Sequence, residues 1–421
     1  MLSRAFIRRN PEAVRRAVDQ KALTLDVDAL LAADADELAT QSRLDDLQGQ
    51  RQAISKRFQR ASAEERTVLQ AQSRALGEEI DQLRETHTGL QASLQELLWQ
   101  VPNLPWEGAP VGPDAGANTL VRQWGTPPTF SFTPRDHVEL LEMHGWADFD
   151  RIGKVSGSRT YALRSDMVLL ESALQRFMFD LLVGKGFTLL SVPSLVREPA
   201  LYGMGQFPKA RDDVYYLPAD DLYLSGTAEV ILTGLHMGEI LSEADLPLRY
   251  AGFSACFRRE SGSFGRDVRG LLRVHQFYKV EQYVMCRNDA EESAHWHAQL
   301  LAAAEEVLQA LELPYQVVEC STGDMGLGKF RMNDLETWLP AQQRYFETHS
   351  CSTLHDWQAR RANLRYRTKE GKVEFVHTLN NTGIATPRII APLLENHQLE
   401  DGRVAVPQRL QPYLGGREAL S

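Results

Sequence analysis

The N-terminal quarter of the chain contains a long stretch without proline, and this stretch constrains the fold more than any other feature. No proline lies between Val27 and Gln100. Within the stretch, leucines recur every seven residues, a spacing that is typical of a helix packing along one seam against another helix. They are Leu69, Leu76, Leu83, Leu90 and Leu97, accompanied by Ile80 and Leu94. The pattern predicts one long helix with an apolar stripe.

A shorter apolar stripe upstream predicts a second long helix. Its members are Leu44, Leu47, Ile54 and Phe58. Between the two stripes, Ser62 precedes Glu65 by three residues, which is the capping box that begins a helix. We therefore expect two antiparallel helices of about 35 residues each, which at 1.5 Å per residue form an arm about 50 Å long.

The expected tip of this arm is basic. Residues 51–60 contain Arg51, Lys56, Arg57 and Arg60 and no acidic residue, although the formal net charge of the chain is −10. Local clustering of cations, rather than total charge, determines whether phosphates can be bound. The cluster indicates either a solvated helix face or a surface that follows a nucleic-acid backbone.

Length and composition predict more than one domain. A chain of 421 residues exceeds one ordinary domain, and no apolar run is long enough to span a membrane. The four cysteines lack CxxC spacing, which favours buried free thiols in the cytoplasm; they are Cys256, Cys286, Cys320 and Cys351.

Pro and Gly cluster after Gln100, which indicates a domain boundary there. We expect an N-terminal helical domain over residues 1–103, a linker over 104–120 and a second domain over 121–421.

The second domain alternates short β-rich runs with helical stretches. The runs are Tyr215–Leu217, Leu222–Leu224, Tyr283–Cys286, Tyr315–Cys320 and Phe375–Leu379, and the helical stretches are Asp166–Lys185 and Ala290–Leu311. Apolar and polar residues alternate with period two in the strand-like runs. The predicted fold class is therefore α+β, with a mainly antiparallel sheet flanked by helices and a long N-terminal helical arm.

One segment resembles a P-loop but lacks the hydroxyl residue that a P-loop requires. Residues 323–329, GDMGLGK, match GxxxxGK, but Phe330 stands where a P-loop requires Ser or Thr. The glycines are instead expected to form a tight loop near a ligand.

Cations, aromatic rings and carboxylates alternate in residues 257–283, which read FRRESGSFGRDVRGLLRVHQFYKVEQY. The cations are Arg258, Arg259, Arg266, Arg269, Arg273 and Lys279. Arginines and an aromatic face could bind ATP without a P-loop. Alternation along a strand predicts Phe277, Lys279 and Glu281 on one face and Val274 on the other. Phe277 would then support a purine base. The alternative interpretation of this segment is an exposed basic hairpin that binds no nucleotide.

Two further segments strengthen the nucleotide hypothesis. In residues 346–352, FETHSCS, the oxygens of Glu347 and Ser350 suit a hard cation such as magnesium. Residues 378–398, TLNNTGIATPRIIAPLLENHQ, predict a strand, a small-residue turn and a helix. Arg388 stands at the helix start, where an anion is favoured. Together the segments describe a nucleoside-triphosphate site with a metal ion.

These segments resemble the signature motifs of class II aminoacyl-tRNA synthetases. FRRE…RVHQFYKVEQ is similar to the second motif, LNNTGIATPRIIAPLLENHQ to the third, and GKGFTLLSVPSL at residues 184–195 to the first. LSGTAEV, TGDMGLGK and ETHSCS…DWQARR resemble segments typical of the seryl-tRNA synthetases. The arm lies where that family carries its tRNA-binding coiled coil. The chain departs from the usual third motif at Thr382 and Pro387, and from the usual metal segment at His349 and Thr353.

The resemblance implies a reaction and its components. Serine and ATP would form seryl-adenylate, and serine would pass to the 3′-terminal adenosine of tRNA(Ser), and of tRNA(Sec). The expected enzyme is a cytoplasmic homodimer that uses ATP and Mg²⁺, with its catalytic domain over residues 121–421 and no membrane association. Arg258 would bridge the serine carboxylate and the α-phosphate, Glu260 would bind the adenine amino group, and Phe277 would stack on the ring.

The resemblance also assigns roles residue by residue. The implied catalytic residues are Arg258, Arg273 and Arg388. The implied ATP-binding residues are Arg258, Arg259, Glu260, Val274, Phe277, Glu347, Thr348, His349, Ser350 and Arg388. The implied serine-binding residues are Thr227, Ala228, Glu229, Arg258, Glu281, Asn380 and Thr382. Glu347 and Ser350 would bind the metal, and tRNA would contact Arg51, Lys56, Arg57 and Arg60.

Three other functions remain open at this point. A ligase that loads seryl-adenylate onto a carrier protein would lack the arm, which this chain has. A non-catalytic RNA-binding paralogue would lack one or more of Arg258, Glu260, Glu347 and Arg388, all of which are present. A coiled-coil interaction protein would not need the dense polar segments of the second domain.

Overall fold

The computed structural model describes residues 1–261 and 270–421, which divide into two compact units. One unit is Leu2–Pro102, and the other is Asn103–Ser421 together with Met1. The predicted loop cations Arg266 and Arg269 lie outside the described residues. Among the residues described, no helix has both the length and the apolar character that a membrane span needs.

The first unit is built from helices, two of them long. They are α1 (Arg4–Arg9), α2 (Pro11–Gln20), α3 (Val27–Phe58) and α4 (Ala63–Trp99). The capping box predicted for α4 is confirmed, because the Ser62 hydroxyl accepts from the Glu65 N–H and the Glu65 carboxylate accepts from the Ser62 N–H. The connection between α3 and α4 is short, so the two helices run antiparallel along each other, as predicted.

Most of the predicted apolar stripes form the seam between α3 and α4, although Phe58 at the end of α3 is exposed. Leu44, Leu47 and Ile80 are buried together, and Leu76 and Leu83 are half-buried at the edges of this cluster. A buried polar contact interrupts the leucines, since Nε2 of His87 lies 2.9 Å from Oε1 of Glu37, and Leu30 and Leu94 beyond it are buried.

The second unit contains the helices α5 (His137–Met143), α6 (Asp150–Ser156), α7 (Asp166–Gly184), α8 (Glu198–Met204), α9 (Ala228–Leu235), α10 (Ala290–Ala310), α11 (Trp357–Ala362) and α12 (Ile390–His397). Its strands are β1 (Thr119–Trp124), β2 (Ala147–Asp148), β3 (Ala162–Leu163), β4 (Thr188–Ser191), β5 (Leu195–Val196), β6 (Tyr215–Leu217), β7 (Leu222–Leu224), β8 (Ile240–Ser242) and β9 (Leu248–Phe257). They continue with β10 (Gln276–Cys286), β11 (Tyr315–Glu319), β12 (Arg331–Leu339), β13 (Arg344–His355), β14 (Arg365–Arg367), β15 (Val373–Phe375), β16 (His377–Thr386), β17 (Val404–Ala405) and β18 (Ala419–Leu420).

A large sheet organises this unit. Within the described ranges it contains eight strands in the order β1-β11-β12-β13-β16-β10-β9-β4. Neighbouring strands pair antiparallel except β4, which runs parallel to β9. The α+β class with a mainly antiparallel sheet is therefore confirmed.

The central strand β10 shows how the sheet separates core from cavity. Val280 and Val284 point into the main core, which also contains residues of α7, α10 and α12. Tyr283 and Met285 point to the opposite face and pack with residues of α9 and α11. Because side chains alternate along a strand, Phe277, Lys279 and Glu281 share that second face.

Two expectations about local structure can be compared with the described residues. The strand, turn and helix expected in residues 378–398 occur in that order, since β16 ends at Thr386, residues 387–389 form the turn and α12 begins at Ile390. The small residues expected in the turn instead continue β16, which pairs with both β10 and β13. The segment expected to be linker packs against the rest of the second unit, because Nε1 of Trp106 donates to Glu319 at 3.1 Å and the Ser321 hydroxyl donates to the Asp114 carbonyl at 2.7 Å. The cysteines are buried free thiols, as expected.

Candidate active site

A cavity of about 620 Å³ opens on the face of the sheet to which Phe277 and Glu281 point. Its wall combines β10, β13 and β16 with the residues just after β9, the start of α9 and the loop at 326–329. Most of the predicted site residues line it: Thr227, Glu229, Arg258, Glu260, Arg273, Val274, Phe277, Glu281, Glu347, Thr348, Ser350, Asn380, Thr382 and Arg388. The structure thus brings residues from four separate sequence segments to one concave surface.

Three predicted site residues do not line the cavity. The Arg259 guanidinium lies 4.5 Å from the centre of the Tyr215 ring, and its Nε donates to the Val214 carbonyl at 3.2 Å. Ala228 is buried in the apolar cluster beneath α9. His349 is buried with Nε2 3.1 Å from the Gly383 carbonyl, and burial lowers the pKa of His349 to about 4.

The predicted tRNA-binding residues lie on the other unit. Arg51, Lys56 and Arg57 are exposed on the last turns of α3, and Arg60 is exposed in the connection to α4. They have no part in the cavity.

A β-bulge gives the candidate metal ligands a common direction. Residues three apart on a regular strand point to opposite faces. In β13, His349 pairs with Leu335 and Glu347 with Glu336, so Thr348 is an extra residue in the strand. Glu347 and Ser350 consequently line the same cavity. Their carboxylate and hydroxyl oxygens are the hard donors that magnesium prefers, so the donor set fits that ion.

Three arginines concentrate positive charge at this end of the cavity. Burial lowers the pKa of Arg388, and the nearby Arg258 and Arg273 lower that pKa further while Glu347 opposes them. Nη1 of Arg388 lies 3.7 Å from a carboxylate oxygen of Glu347. Three guanidinium groups that influence one another in this way repel each other, and a ligand with several negative charges would offset that repulsion.

An aromatic face lies beside these cations. The Arg258 guanidinium is 5.2 Å from the centre of the Phe277 ring, and its Nε donates to the Gly226 carbonyl at 3.3 Å. Arg273 and Glu260 form an ion pair at 3.2 Å. Val274 also lines the cavity, contrary to the predicted alternation, because β10 begins only at Gln276.

The cavity also holds two buried carboxylates, those of Glu229 and Glu281. The Thr227 hydroxyl donates to Oε2 of Glu281 at 2.9 Å, and Lys279 forms an ion pair with the same oxygen. Nδ2 of Asn380 donates to Oε1 of Glu229 at 2.8 Å. Burial raises the pKa of Glu281, while Lys279 and Thr227 lower it. Buried acceptors in this arrangement suit a small ligand that carries an ammonium group and a hydroxyl.

Sequence reasoning missed several members of this polar pocket. Nε2 of Gln358 donates to Glu229 at 2.9 Å, and Nζ of Lys329 lies 4.0 Å from the same carboxylate. Lys329 belongs to the rejected P-loop pattern, whose residues 326–329 do line the cavity as a loop. A Cβ on Gly328 would lie 2.5 Å from the Trp357 ring, so this close approach requires glycine. Lys279 could have been recognised, because strand alternation had placed it beside Glu281.

Comparison with known proteins gives consistent matches over the whole chain. The protein-family model described as "Seryl-tRNA synthetase N-terminal domain" matches residues 1–105, and "tRNA synthetase class II core domain (G, H, P, S and T)" matches residues 216–397. A protein of Deinococcus radiodurans named "Serine–tRNA ligase" is 53% identical over 420 residues, covering 100% of this chain and 99% of the relative. A relative of the same name from Symbiobacterium thermophilum is 41% identical, covering 98% of both chains.

Two solved structures are also similar. Seryl-tRNA synthetase from Pyrococcus horikoshii, complexed with ATP, is 39% identical with a TM-score of 0.92, and the match covers 100% of this chain and 99% of the other. The cytoplasmic serine-tRNA ligase of Naegleria fowleri, in complex with AMP, is 29% identical with a TM-score of 0.86, and the match covers 98% and 96% of the two chains.

Proposed function

The chain belongs to the seryl-tRNA synthetases, and from this premise we propose how its residues divide the work of a serine–tRNA ligase. As a member it is an ATP-binding aminoacyl-tRNA ligase. The carrier-protein ligase and the non-catalytic paralogue are not favoured, since relatives named serine–tRNA ligase cover the whole chain. The observation that carries the assignment of roles is the single cavity that unites the arginines, the phenyl ring and both carboxylates.

The nucleotide occupies the end of the cavity that contains Phe277. The phenyl ring supports the adenine, and Glu260 accepts a hydrogen bond from its amino group. Arg273 and Arg388 neutralise the β- and γ-phosphates. The concentration of guanidinium groups beside an aromatic face supports this orientation.

Serine occupies the end with the buried carboxylates. Glu281 and Glu229 surround the ammonium group and the hydroxyl, with Thr227, Asn380 and Thr382 completing the pocket. Alanine would leave these polar groups unpaired, and threonine would need space for an additional methyl group.

The reaction needs positioning more than covalent chemistry from the protein. A carboxylate oxygen of serine attacks the α-phosphorus of ATP, the bond to the β-phosphate oxygen breaks, and pyrophosphate leaves. A ribose hydroxyl of the terminal adenosine of tRNA then attacks the serine carbonyl carbon, and AMP leaves. Arg258 lines the cavity beside Phe277 and holds the serine carboxylate against the α-phosphate, which stabilises the charge that develops there.

Glu347 and Ser350 would hold Mg²⁺, since the bulge at Thr348 turns their oxygens to one cavity. The ion, when bound, would neutralise part of the phosphate charge. Arg388 keeps the Glu347 carboxylate oriented toward the same region.

The remaining components follow the division of the chain. We assign residues 1–103 to the tRNA-binding helical domain, 104–120 to a connecting segment that packs against the catalytic domain, and 121–421 to the catalytic domain. Arg51, Lys56, Arg57 and Arg60 contact the phosphates of tRNA(Ser) and of tRNA(Sec). The enzyme is a cytoplasmic homodimer. Strand β4 in the segment 184–195 supports the dimer, because it is an edge strand of the large sheet and Leu189 on it is 40% exposed.

Amino-acid-dependent ATP–pyrophosphate exchange tests the serine pocket. We expect L-serine to support exchange and alanine, glycine, cysteine and threonine to support at least about 100-fold less, because each leaves a buried group unpaired or does not fit. Equal exchange with alanine would refute the roles given to Glu229 and Glu281.

A further inference from the structure

Lys279 is a buried cation with no role in the reaction described above. It is 7% exposed, and Glu281 beside it is 2% exposed. Both side chains belong to β10 and point into the serine end of the cavity. Lys279 and the Thr227 hydroxyl both contact Oε2 of Glu281. Neither contact uses Oε1, so that oxygen is the one left for a ligand.

A buried carboxylate of this kind is poorly suited to bind an ammonium group unless something keeps it charged. Burial favours the neutral acid, and a protonated Glu281 would offer a dipole instead of a full negative charge. A cation in contact with one oxygen favours the charged form before the substrate arrives. The hydroxyl of Thr227 fixes the same oxygen in place.

The other titratable groups around the pocket do not supply this effect at Glu281. Glu229 on α9, Arg258 after β9 and Lys329 in the loop carry charge, whereas burial raises the pKa of the Cys256 thiol on β9. From β16 the pocket receives the neutral side chains of Asn380 and Thr382. Glu229 repels the charged form of Glu281. Lys329 lies near Glu229, so each carboxylate has its own lysine. The two lysine–glutamate pairs cancel in charge, which leaves Arg258 to oppose the serine carboxylate.

We propose that Lys279 is a positioning residue, which holds Glu281 ionised and directs its Oε1 toward the ammonium group of serine. The proposal rests on the serine pocket described above and names what makes that pocket functional at neutral pH. Lys279 acts through Glu281 and does not touch ATP or the reacting atoms.

The test is the pH dependence of the KM for serine in Lys279→Gln. Glutamine retains a hydrogen-bond donor at Oε2 and removes only the charge. The carboxyl of Glu281 then stays protonated to a higher pH, so its ionised fraction grows as the pH rises. We expect the ratio of variant to wild-type KM for serine to be at least about tenfold at pH 6.5 and to fall toward one by pH 8.5, since one pKa unit is a factor of ten.

Three controls separate this role from a structural one. Lys279→Arg keeps the charge and should restore the wild-type pH profile. Lys372→Gln removes a lysine that has the same spacing from its partner Glu374 but is 73% exposed at the side chain, and it should change nothing. The KM for ATP and the kcat of exchange should stay within about twofold of wild type in Lys279→Gln, because a shift in serine affinity alone leaves both unchanged.

A double variant tests whether Lys279 acts only through the Glu281 carboxylate. In Glu281→Gln the carboxylate is gone, so adding Lys279→Gln should cost nothing more and introduce no pH dependence. A further loss in that background, a fall in kcat, or a pH-independent rise in KM would overturn the proposal, because Lys279 would then act on the substrate or the fold directly. If Glu281→Gln alone leaves the KM for serine unchanged, the serine pocket itself is misassigned. If Glu281→Gln raises it and Lys279→Gln does not, only the role of Lys279 fails.

Discussion

Arginine and lysine occur both in the arm and in the cavity, but they are exposed to solvent in the arm and largely buried in the cavity. Arg51, Lys56 and Arg57 are exposed along α3, where water and salt reduce their interactions with one another. Lys279 and Arg388 are enclosed by the cavity wall, where they contact carboxylates and influence neighbouring charges. Arm cations should therefore contribute in small, nearly additive steps, and cavity cations should be strongly interdependent.

The two regions also differ in the distance along the chain over which they are assembled. The arm is formed by two consecutive helices whose contacts repeat every turn. The cavity joins Glu229, Phe277, Glu347 and Arg388, which are separated by tens of residues and meet only through the order of the sheet strands. A change in the arm should affect residues nearby in sequence, whereas a change in the cavity should affect residues from several distant segments.

The largest effect should come from Arg258→Ala. Its loss removes the group that holds the serine carboxylate against the α-phosphate, so pyrophosphate exchange and tRNA charging should both fall by about 10³-fold or more. Steady-state exchange and charging assays measure both rates. Arg249→Ala is a matched control on β9, the strand that ends just before Arg258, because the Arg249 guanidinium donates to the Lys185 carbonyl outside the cavity. Near-normal exchange in Arg258→Ala would mean that activation does not depend on this cavity.

Glu347→Gln should have the next largest effect. The amide retains the size of the side chain but weakens the interaction with Mg²⁺, so the Mg²⁺ concentration for half-maximal exchange should rise by about 10- to 100-fold. Titration of Mg²⁺ at saturating ATP measures this shift. An unchanged midpoint, with a lower maximal rate, would remove Glu347 from the metal site.

Replacing Arg51, Lys56, Arg57 and Arg60 together by alanine should affect charging alone. We expect kcat/KM for tRNA to fall by about 10- to 100-fold near 0.1 M salt and its salt dependence to become shallower, because fewer phosphate contacts release fewer counterions. Exchange should be unchanged. Replacement of Arg74 and Arg84, which pair with acidic residues on α4, is the control and should have little effect on either rate. Equal losses in both variants would mean that the tip is not a specific contact surface.

Ser62→Ala should have the smallest effect. It removes the hydroxyl that accepts from the Glu65 N–H and should destabilise the start of α4 by about 1 kcal/mol. Hydrogen exchange of the amides in the first turn of α4 should be faster, while the rate of ATP–pyrophosphate exchange is unchanged. Ser62→Thr keeps the cap, so its amide hydrogen exchange should match that of the wild type. If amide hydrogen exchange in Ser62→Ala also matches the wild type, the capping box contributes nothing to the stability of the arm.

The arm was largely predictable from sequence because its determinants are local. The heptad leucines and the Ser62–Glu65 capping box each depend on residues within a turn or two of one another. Alternation likewise predicted the common face of Phe277, Lys279 and Glu281. The interpretation failed at Val274, where the strand has not yet begun. It predicted the order of strand, turn and helix after His377 correctly but expected small residues in the turn, and those residues continue β16.

The shape of the cavity could not be read in the same way. The bulge at Thr348 depends on how β12 and β13 pair, and no local pattern signals it. The contact of Gln358 with Glu229 joins residues far apart in sequence. The sequence predicted a common nucleotide site for three of these segments, and the resemblance added the serine-binding residues near Thr227. His349, Ala228 and Arg259, to which the resemblance also gives roles, do not line the cavity.

Exchange and charging by a protein without the distal arm test the central claim most directly. Residues 47–77 would be removed and the two helices joined by a short glycine linker, with circular dichroism to verify folding. If activation is confined to the cavity, serine-dependent pyrophosphate exchange should keep its wild-type kcat and its KM values for serine and ATP, while charging of tRNA is lost. Loss of exchange together with charging in the folded protein would contradict the separation of the two functions.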